Sequence, residues 1–326
     1  MVKRKLNFLI YGAGVIGSIF ACKLLGSGHN VHILARGNRL KEIKANGIIL
    51  RNSLTGKKDS YKVEIKESLE PEDIYDYILV VMQKTQVDTV LPILAKNKTP
   101  NIVFIVNNPS GYDRWIKLLG KERMIIGFPS AGGERKAGEV NYFIGRGLSK
   151  LFQATTFGEI DGSKTQRLVN LVKAFKSAGF SPVIHHNMDA WQKTHVALIT
   201  PIANVLYKYN GNNRSLSKSA NDIKKMLMAV REGFNALRHM GISITPIKLN
   251  FIYLPTPILV PLFQIFMGSK IAEIAIAKHA NVAKDEMLLL QKEFKKLIAQ
   301  SEVQTPMFDE LAKYNQAGQG DGSSVP

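Results

Sequence analysis

Three features of the sequence predict an α/β Rossmann-type domain followed by an all-α C-terminal domain. Short apolar runs alternate with helix-patterned stretches through the first half, and G-x-G-x-x-G follows the first run directly. From about residue 187 only helical patterning remains. A chain of 326 residues has room for two domains, which the pattern sets at 1–186 and 187–315. The last residues, 316–326, are small and polar and are expected to be disordered.

The strand-like runs are LNFLIY, VHILA, YILVVM, NIVFIV and RMIIGF, with helical stretches at 85–96 and 111–119 between later ones. After the second run, GIILRNS and then YKVEIKE read as a β-excursion. GEVNYFIGRG and LFQATTFGEI read as a hairpin or edge pair. SKTQRLVNLVKAFKSAGF is an amphipathic helix stopped by Gly179, a suitable left-handed cap, and SPVIHH completes this half. Helices are expected at 188–209, 217–240, 270–279 and 284–300.

Two segments resemble membrane elements. The basic start and apolar run of MVKRKLNFLIY imitate a signal peptide, but glycines 12, 14 and 17 and the strand-like NVHILAR after them argue for a first βαβ unit. LNFIYLPTPILVPLFQIFM, residues 249–267, approaches bilayer-spanning length. Pro255, Pro257 and Pro261 break it into short pieces, so a buried, broken core helix is expected and no membrane partner. The single cysteine, Cys22, excludes an internal disulfide and has no partners for a thiolate metal site. No metal is expected, and a reducing, cytoplasmic setting is.

The formal charge of +18 is spread along the chain, which reads as a solvated basic surface. No nucleic-acid motif accompanies it, so no nucleic-acid partner is expected. Such a field favours small anions.

Gly12, Ala13, Gly14, Val15, Ile16 and Gly17 form the glycine motif, placed between a strand and a helix. One glycine serves the tight turn, one the close approach of a pyrophosphate, one helix–strand packing. The helix N-terminus favours the phosphates, so the motif points to a dinucleotide. After the second strand the chain reads HILARGNR, with no acid before Glu42. Arg36 stands where NAD sites place a carboxylate, and a guanidinium matches a 2′-phosphate bidentately. NADP(H) is therefore the expected cofactor. Gln83, Lys84 and Gln86 end one later strand and Asn107 and Asn108 the next, where open α/β sheets bind ligands.

With GAGVIGSIFA, LARGNRL, MQKTQVDTVLP, VNNPSG and AWQK in this order, the chain resembles the ketopantoate reductase (2-dehydropantoate 2-reductase) family over nearly its whole length. The resemblance implies NADPH-dependent reduction of a small anionic 2-oxo acid to a 2-hydroxy acid, on the way to pantothenate. It implies pyrophosphate binding at Gly12, Gly14 and Gly17 and 2′-phosphate binding at Arg36. Lys84 and Asn108 fall on cofactor- and substrate-side positions, Glu273 on an acid near the cofactor ribose, and Lys193 on the catalytic lysine. A homodimer is compatible with this reading. In the family that lysine's helix carries asparagines four and eight residues further on; here those positions hold Ala197 and Pro201. The departure leaves two alternatives open, the same chemistry on another 2-oxo substrate and a non-catalytic NADP(H)-binding sensor.

On a regular helix Ala197, Thr200 and Asn204 lie within about 40° of Lys193, while His195 lies about 160° away and pairs with Trp191. Lys193 is thus the candidate general acid, able to protonate a carbonyl oxygen and to stabilise a developing alkoxide. Thr200 and Asn204 are the candidate substrate-side groups in place of the missing asparagines.

Overall fold

The computed structural model describes residues 4–145, 154–277 and 283–316. Parts of GEVNYFIGRG and LFQATTFGEI, the end of the helix expected at 270–279, and residues 317–326 of the expected disordered tail lie outside the described residues. The chain divides into two compact units. The first is Met1–Val106 with Tyr112–Met188, and the second is Asn107–Gly111 with Asp189–Pro326.

The strands of the first unit are β1 (Asn7–Tyr11), β2 (Asn30–Leu34), β3 (Ile48–Asn52), β4 (Lys58–Tyr61), β5 (Glu64–Lys66), β6 (Tyr77–Val81), β7 (Ile102–Ile105), β8 (Met124–Phe128), β9 (Ala131–Lys136), β10 (Glu139–Ile144), β11 (Thr155–Glu159) and β12 (Pro182–Ile184). Its helices are α1 (Val15–Gly26), α2 (Gly37–Asn46), α3 (Lys84–Lys96), α4 (Asp113–Leu119) and α5 (Gln166–Ser177). The main sheet has the order β12-β11-β8-β7-β6-β1-β2-β5. From β5 to β8 every pairing is parallel; β11 pairs antiparallel with β8, and the edge strand β12 runs parallel to β11. Phe8, Leu9 and Ile10 in β1 and Ile78, Leu79 and Val80 in β6 are fully buried. That is the continuous apolar strand of a sheet covered on both faces. The chain runs outward from β1 to β5 and then returns to β6, so the strand order reverses between β1 and β6. Gly179 takes the left-handed φ of 84° expected of it.

Two strand expectations are corrected. YKVEIKE is not one strand: β4 pairs antiparallel with β3 in a small second sheet, while β5 joins the main sheet beside β2. The break at Lys62–Val63 lets the chain change sheets. GEVNYFI pairs not with LFQATTFGEI but with β9, through a two-residue turn in which Ala137 (φ 50°) and Gly138 (φ 77°) both have positive φ. This backbone matches the twist of a tight hairpin. β9 itself, AGGERK, lacks the β-branched run that marks a strand.

The second unit contains α6 (Met188–Lys208), α7 (Asn213–Ser217), α8 (Ala220–His239), a 3₁₀ segment (Ile247–Tyr253), α9 (Thr256–Met267), the single turn α10 (Lys270–Ala272) leading into a π turn (Glu273–Ala277), α11 (Lys284–Ile298) and α12 (Pro306–Gln316). The helix expected at 217–240 begins later because the Ser219 hydroxyl accepts the Asp222 N–H and caps α8. α12 was not anticipated; the Glu232 carboxylate accepts its Met307 and Phe308 N–H groups at 3.1 and 2.8 Å. The proline-rich segment is broken as expected, its two pieces meeting at 113°. It is not buried as expected: Leu259, Phe263 and Met267 enter the core, whereas Ile258, Leu262 and Ile265 are exposed. Apolar composition on all sides of a helix hides which side has a partner. Among the described residues no single helix is long and apolar enough to cross a membrane.

Asp222 ties α6 to α8. It is 3% exposed, and Lys208 Nζ donates to both its oxygens at 2.8 Å while the Tyr209 hydroxyl donates at 2.5 Å. Burial pushes its carboxyl pKa up, but these bonds and the Lys208 charge outweigh that and hold it below the usual carboxylate value. A depressed folded pKa stabilises above the unfolded value of about 4, and that contribution is lost as pH falls through the folded value. Asp222→Asn should therefore cost about 1–3 kcal/mol at pH 7 in urea unfolding, with the gap to the parent narrowing below about pH 4. A gap that stays constant down to pH 3 would contradict this account.

Candidate active site

β1 delivers the chain into the glycine turn. Gly12 has φ +127°, and a Cβ there would stand 2.2 Å from the Val81 carbonyl oxygen at the end of β6. A Cβ on Gly17 would stand 1.9 Å from the Gly12 carbonyl oxygen. Any side chain at either position would lift the loop off β6 or α1 off the loop. Gly14 differs: nothing lies within 4 Å of where its Cβ would be. It caps α1 without a side-chain bond, and the first turn of α1 holds no acid. Uncapped N–H groups beside open space suit a phosphate, so the residues present fit a dinucleotide. Ala13, Val15 and Ile16 are half-buried and contribute loop backbone.

Arg39, which the sequence reading left without a role, braces this turn. Its Nε donates to the Ala13 carbonyl at 3.1 Å and its guanidinium to Ser18 Oγ at 3.0 Å. Arg36, the residue before α2, is exposed and lies 3.3 Å from the Tyr11 hydroxyl. Burial raises the Tyr11 pKa, against the opposing charge of Arg36. Glu42 is engaged by Arg39 at 2.9 Å and faces Arg135 at 3.8 Å. The end of β2 thus offers a cation, with its nearest downstream acid already engaged.

Lys84 is half-buried at the first position of α3, three residues after Val81. Asn108 is 1% exposed and shapes its own loop: its amide donates to the Gly111 carbonyl at 2.6 Å and its Oδ1 accepts the Ser110 N–H at 3.1 Å. This loop, Asn107–Gly111, groups with the helical unit.

On α6 the structure separates residues that share a helix face. Lys193 Nζ lies 2.5 Å from Asp189 Oδ2, with the two side chains 13% and 39% exposed. Trp191 and His195 stack at 5.5 Å, both buried, as the helical spacing predicts. Ala197 is fully buried, and a Cβ on Gly233 of α8 would stand 3.4 Å from its own and 3.3 Å from the Phe294 ring. Thr200 is 1% exposed, and its hydroxyl donates to the Val196 carbonyl at 2.8 Å, one turn back. Asn204 is equally buried, and neither atom of its amide has a hydrogen-bond partner. It lies eleven residues from Lys193, about 16 Å along the axis. The structure therefore does not gather Thr200 and Asn204 around the lysine. Glu273, half-exposed at the start of the π turn, faces Arg214 at 3.6 Å. Asp189 was missed, although an acid four residues before a lysine is a visible pairing signal. Among the described residues no three His, Cys, Asp or Glu side chains are grouped to hold a metal ion.

Residues 8–162 match the family model described as ketopantoate reductase PanE/ApbA. The chain is 26% identical over 252 residues to 2-dehydropantoate 2-reductase of Pyrococcus horikoshii, covering 75% of this chain and 78% of that protein. It is 22% identical over 196 residues to the uncharacterized oxidoreductase YkpB of Bacillus subtilis; that match covers 58% of this chain and spans 61% of the length of the relative. Its fold is shared with D-mandelate dehydrogenase, solved with NADH and anilino(oxo)acetate, at a TM-score of 0.75 and 18% identity over 96% of this chain and 97% of that one. With the family's model matched from β1 through β11 and its α/β-then-helical fold present, the chain is similar to the ketopantoate reductase family in its first domain and shares that family's fold.

Proposed function

We propose that the chain is an NADPH-dependent reductase that converts a 2-oxo acid into the 2-hydroxy acid, with Lys193 as proton donor. The observation that carries the proposal is the glycine turn, with α1 uncapped beside open space and Arg36 exposed after β2. Gly12 to Gly17 hold the pyrophosphate and Arg36 the 2′-phosphate. A guanidinium there and an acid already paired with Arg39 favour NADPH over NADH. Lys84, Asn108 and Glu273 complete the binding groups. The bound cofactor supplies a hydride. Lys193 holds a proton for the carbonyl oxygen, and Asp189 restrains its ammonium from the next turn of the helix. We assign the nucleotide-binding domain to 1–186 and the helical domain with Lys193 to 187–315. The assembly we propose is a cytoplasmic homodimer.

A second reading concerns the substrate. 2-Dehydropantoate is the family's reading, but Ala197 is an apolar, fully buried residue facing Gly233 of α8, where the family's position carries an amide. That favours another 2-oxo acid, recognised without a polar group at this position.

Three measurements test these points. In fluorescence titrations Arg36→Ala should weaken NADPH about 10–100-fold and leave NADH nearly unchanged; a parent that prefers NADH would overturn the assignment. Against a panel of 2-oxo acids, Lys193→Ala should lower NADPH oxidation at least about 100-fold with cofactor affinity retained. Unchanged turnover would remove Lys193 from the chemistry, and a parent inert towards every acid would favour the sensor. Ala197→Asn should lose about 2–4 kcal/mol of stability, read by urea unfolding, and gain no activity towards 2-dehydropantoate. A stable variant with such activity would contradict the packing argument.

A further inference from the structure

Six of the eleven large apolar side chains exposed among the described residues fall between Ile247 and Ile271. Ile247 is 81% exposed, Leu254 47%, Ile258 53%, Leu262 54%, Ile265 74% and Ile271 54%. From Leu254 to Gly268 every exposed residue is apolar, glycine or proline. Ile258, Leu262 and Ile265, spaced four and three apart, make one stripe along α9, opposite the buried Leu259, Phe263 and Met267. From Leu249 to Ser269 there is no charged residue, in a chain of net charge +18.

We propose that this stripe is the contact with a second copy of the chain, α9 meeting α9 across a two-fold axis. The six side chains present on the order of 600 Å² per copy, close to the roughly 800 Å² per partner of a stable interface, and the exposed prolines beside them add more. Two copies this positively charged repel each other over most of their surfaces, and the charge-free stretch is where they approach at least cost. Four–three spacing suits a helix-to-helix seam, and a two-fold lets one patch serve both copies. At 12 residues α9 is about 18 Å long, short of a bilayer core, and its other face is already in the helical core. This proposal locates the homodimer suggested above. It does not depend on the chemistry of Lys193, so its failure would leave the turnover tests untouched.

Light scattering after size exclusion and sedimentation velocity test it across protein concentration and from low salt to about 0.5 M. The parent should be a dimer whose association strengthens with salt, because screening removes net repulsion from an apolar contact. Leu262→Glu and, separately, Ile265→Lys should raise the dimer dissociation constant at least about 100-fold while circular dichroism stays as in the parent. Val183→Glu, an exposed apolar position in the other unit, should leave the dimer intact. Agreement of the two stripe variants guards against a folding defect in one. A parent that is monomeric throughout, a dimer that weakens with salt, or stripe variants that remain dimeric would overturn the proposal. So would a monomeric parent that binds phosphatidylglycerol vesicles through this stripe.

Discussion

Much of the first unit depends on one close approach, the glycine turn lying directly on the end of β6. The contact exists only because Gly12 has no Cβ to meet the Val81 carbonyl and Gly17 none to meet that of Gly12. It sits where the sheet order reverses, between β1 and β6, and it sets where α1 begins. Arg39 then holds the turn from α2 through the Ala13 carbonyl and Ser18. A phosphate site made of backbone N–H groups needs such support, since those groups orient a ligand only as well as the loop is itself held.

The helical unit shows a different economy on α6. Its polar-looking face is mostly structural: Thr200 satisfies a backbone carbonyl, Ala197 admits α8 at Gly233, and Asn204 is enclosed. Only Lys193 keeps partial access, restrained by Asp189 one turn away. Ala197, where the resemblance leads one to expect an asparagine, is fully buried opposite Gly233 of α8.

The sheet was legible in detail because its central strands are uninterrupted apolar runs, and the glycine spacing located the turn. β9 was not legible, since AGGERK resembles a loop until a partner strand is supplied, and the 131–144 hairpin follows from positive φ at Ala137 and Gly138. The proline-rich segment shows the same limit. Its breaks were written in Pro255, Pro257 and Pro261, but which face stayed exposed depended on what α7 and α8 left uncovered.

By itself the sequence determined the α/β-then-helical order, the glycine turn, the cation after β2, and the opposite helix faces of Lys193 and His195, all through local rules of spacing and sterics. Only the tertiary structure decided that Arg39 serves the loop, that Lys193 pairs with Asp189, and that Thr200 and Asn204 are buried in the helical core. Helical periodicity places side chains on a common face, but the partners packed against each turn determine what that face meets.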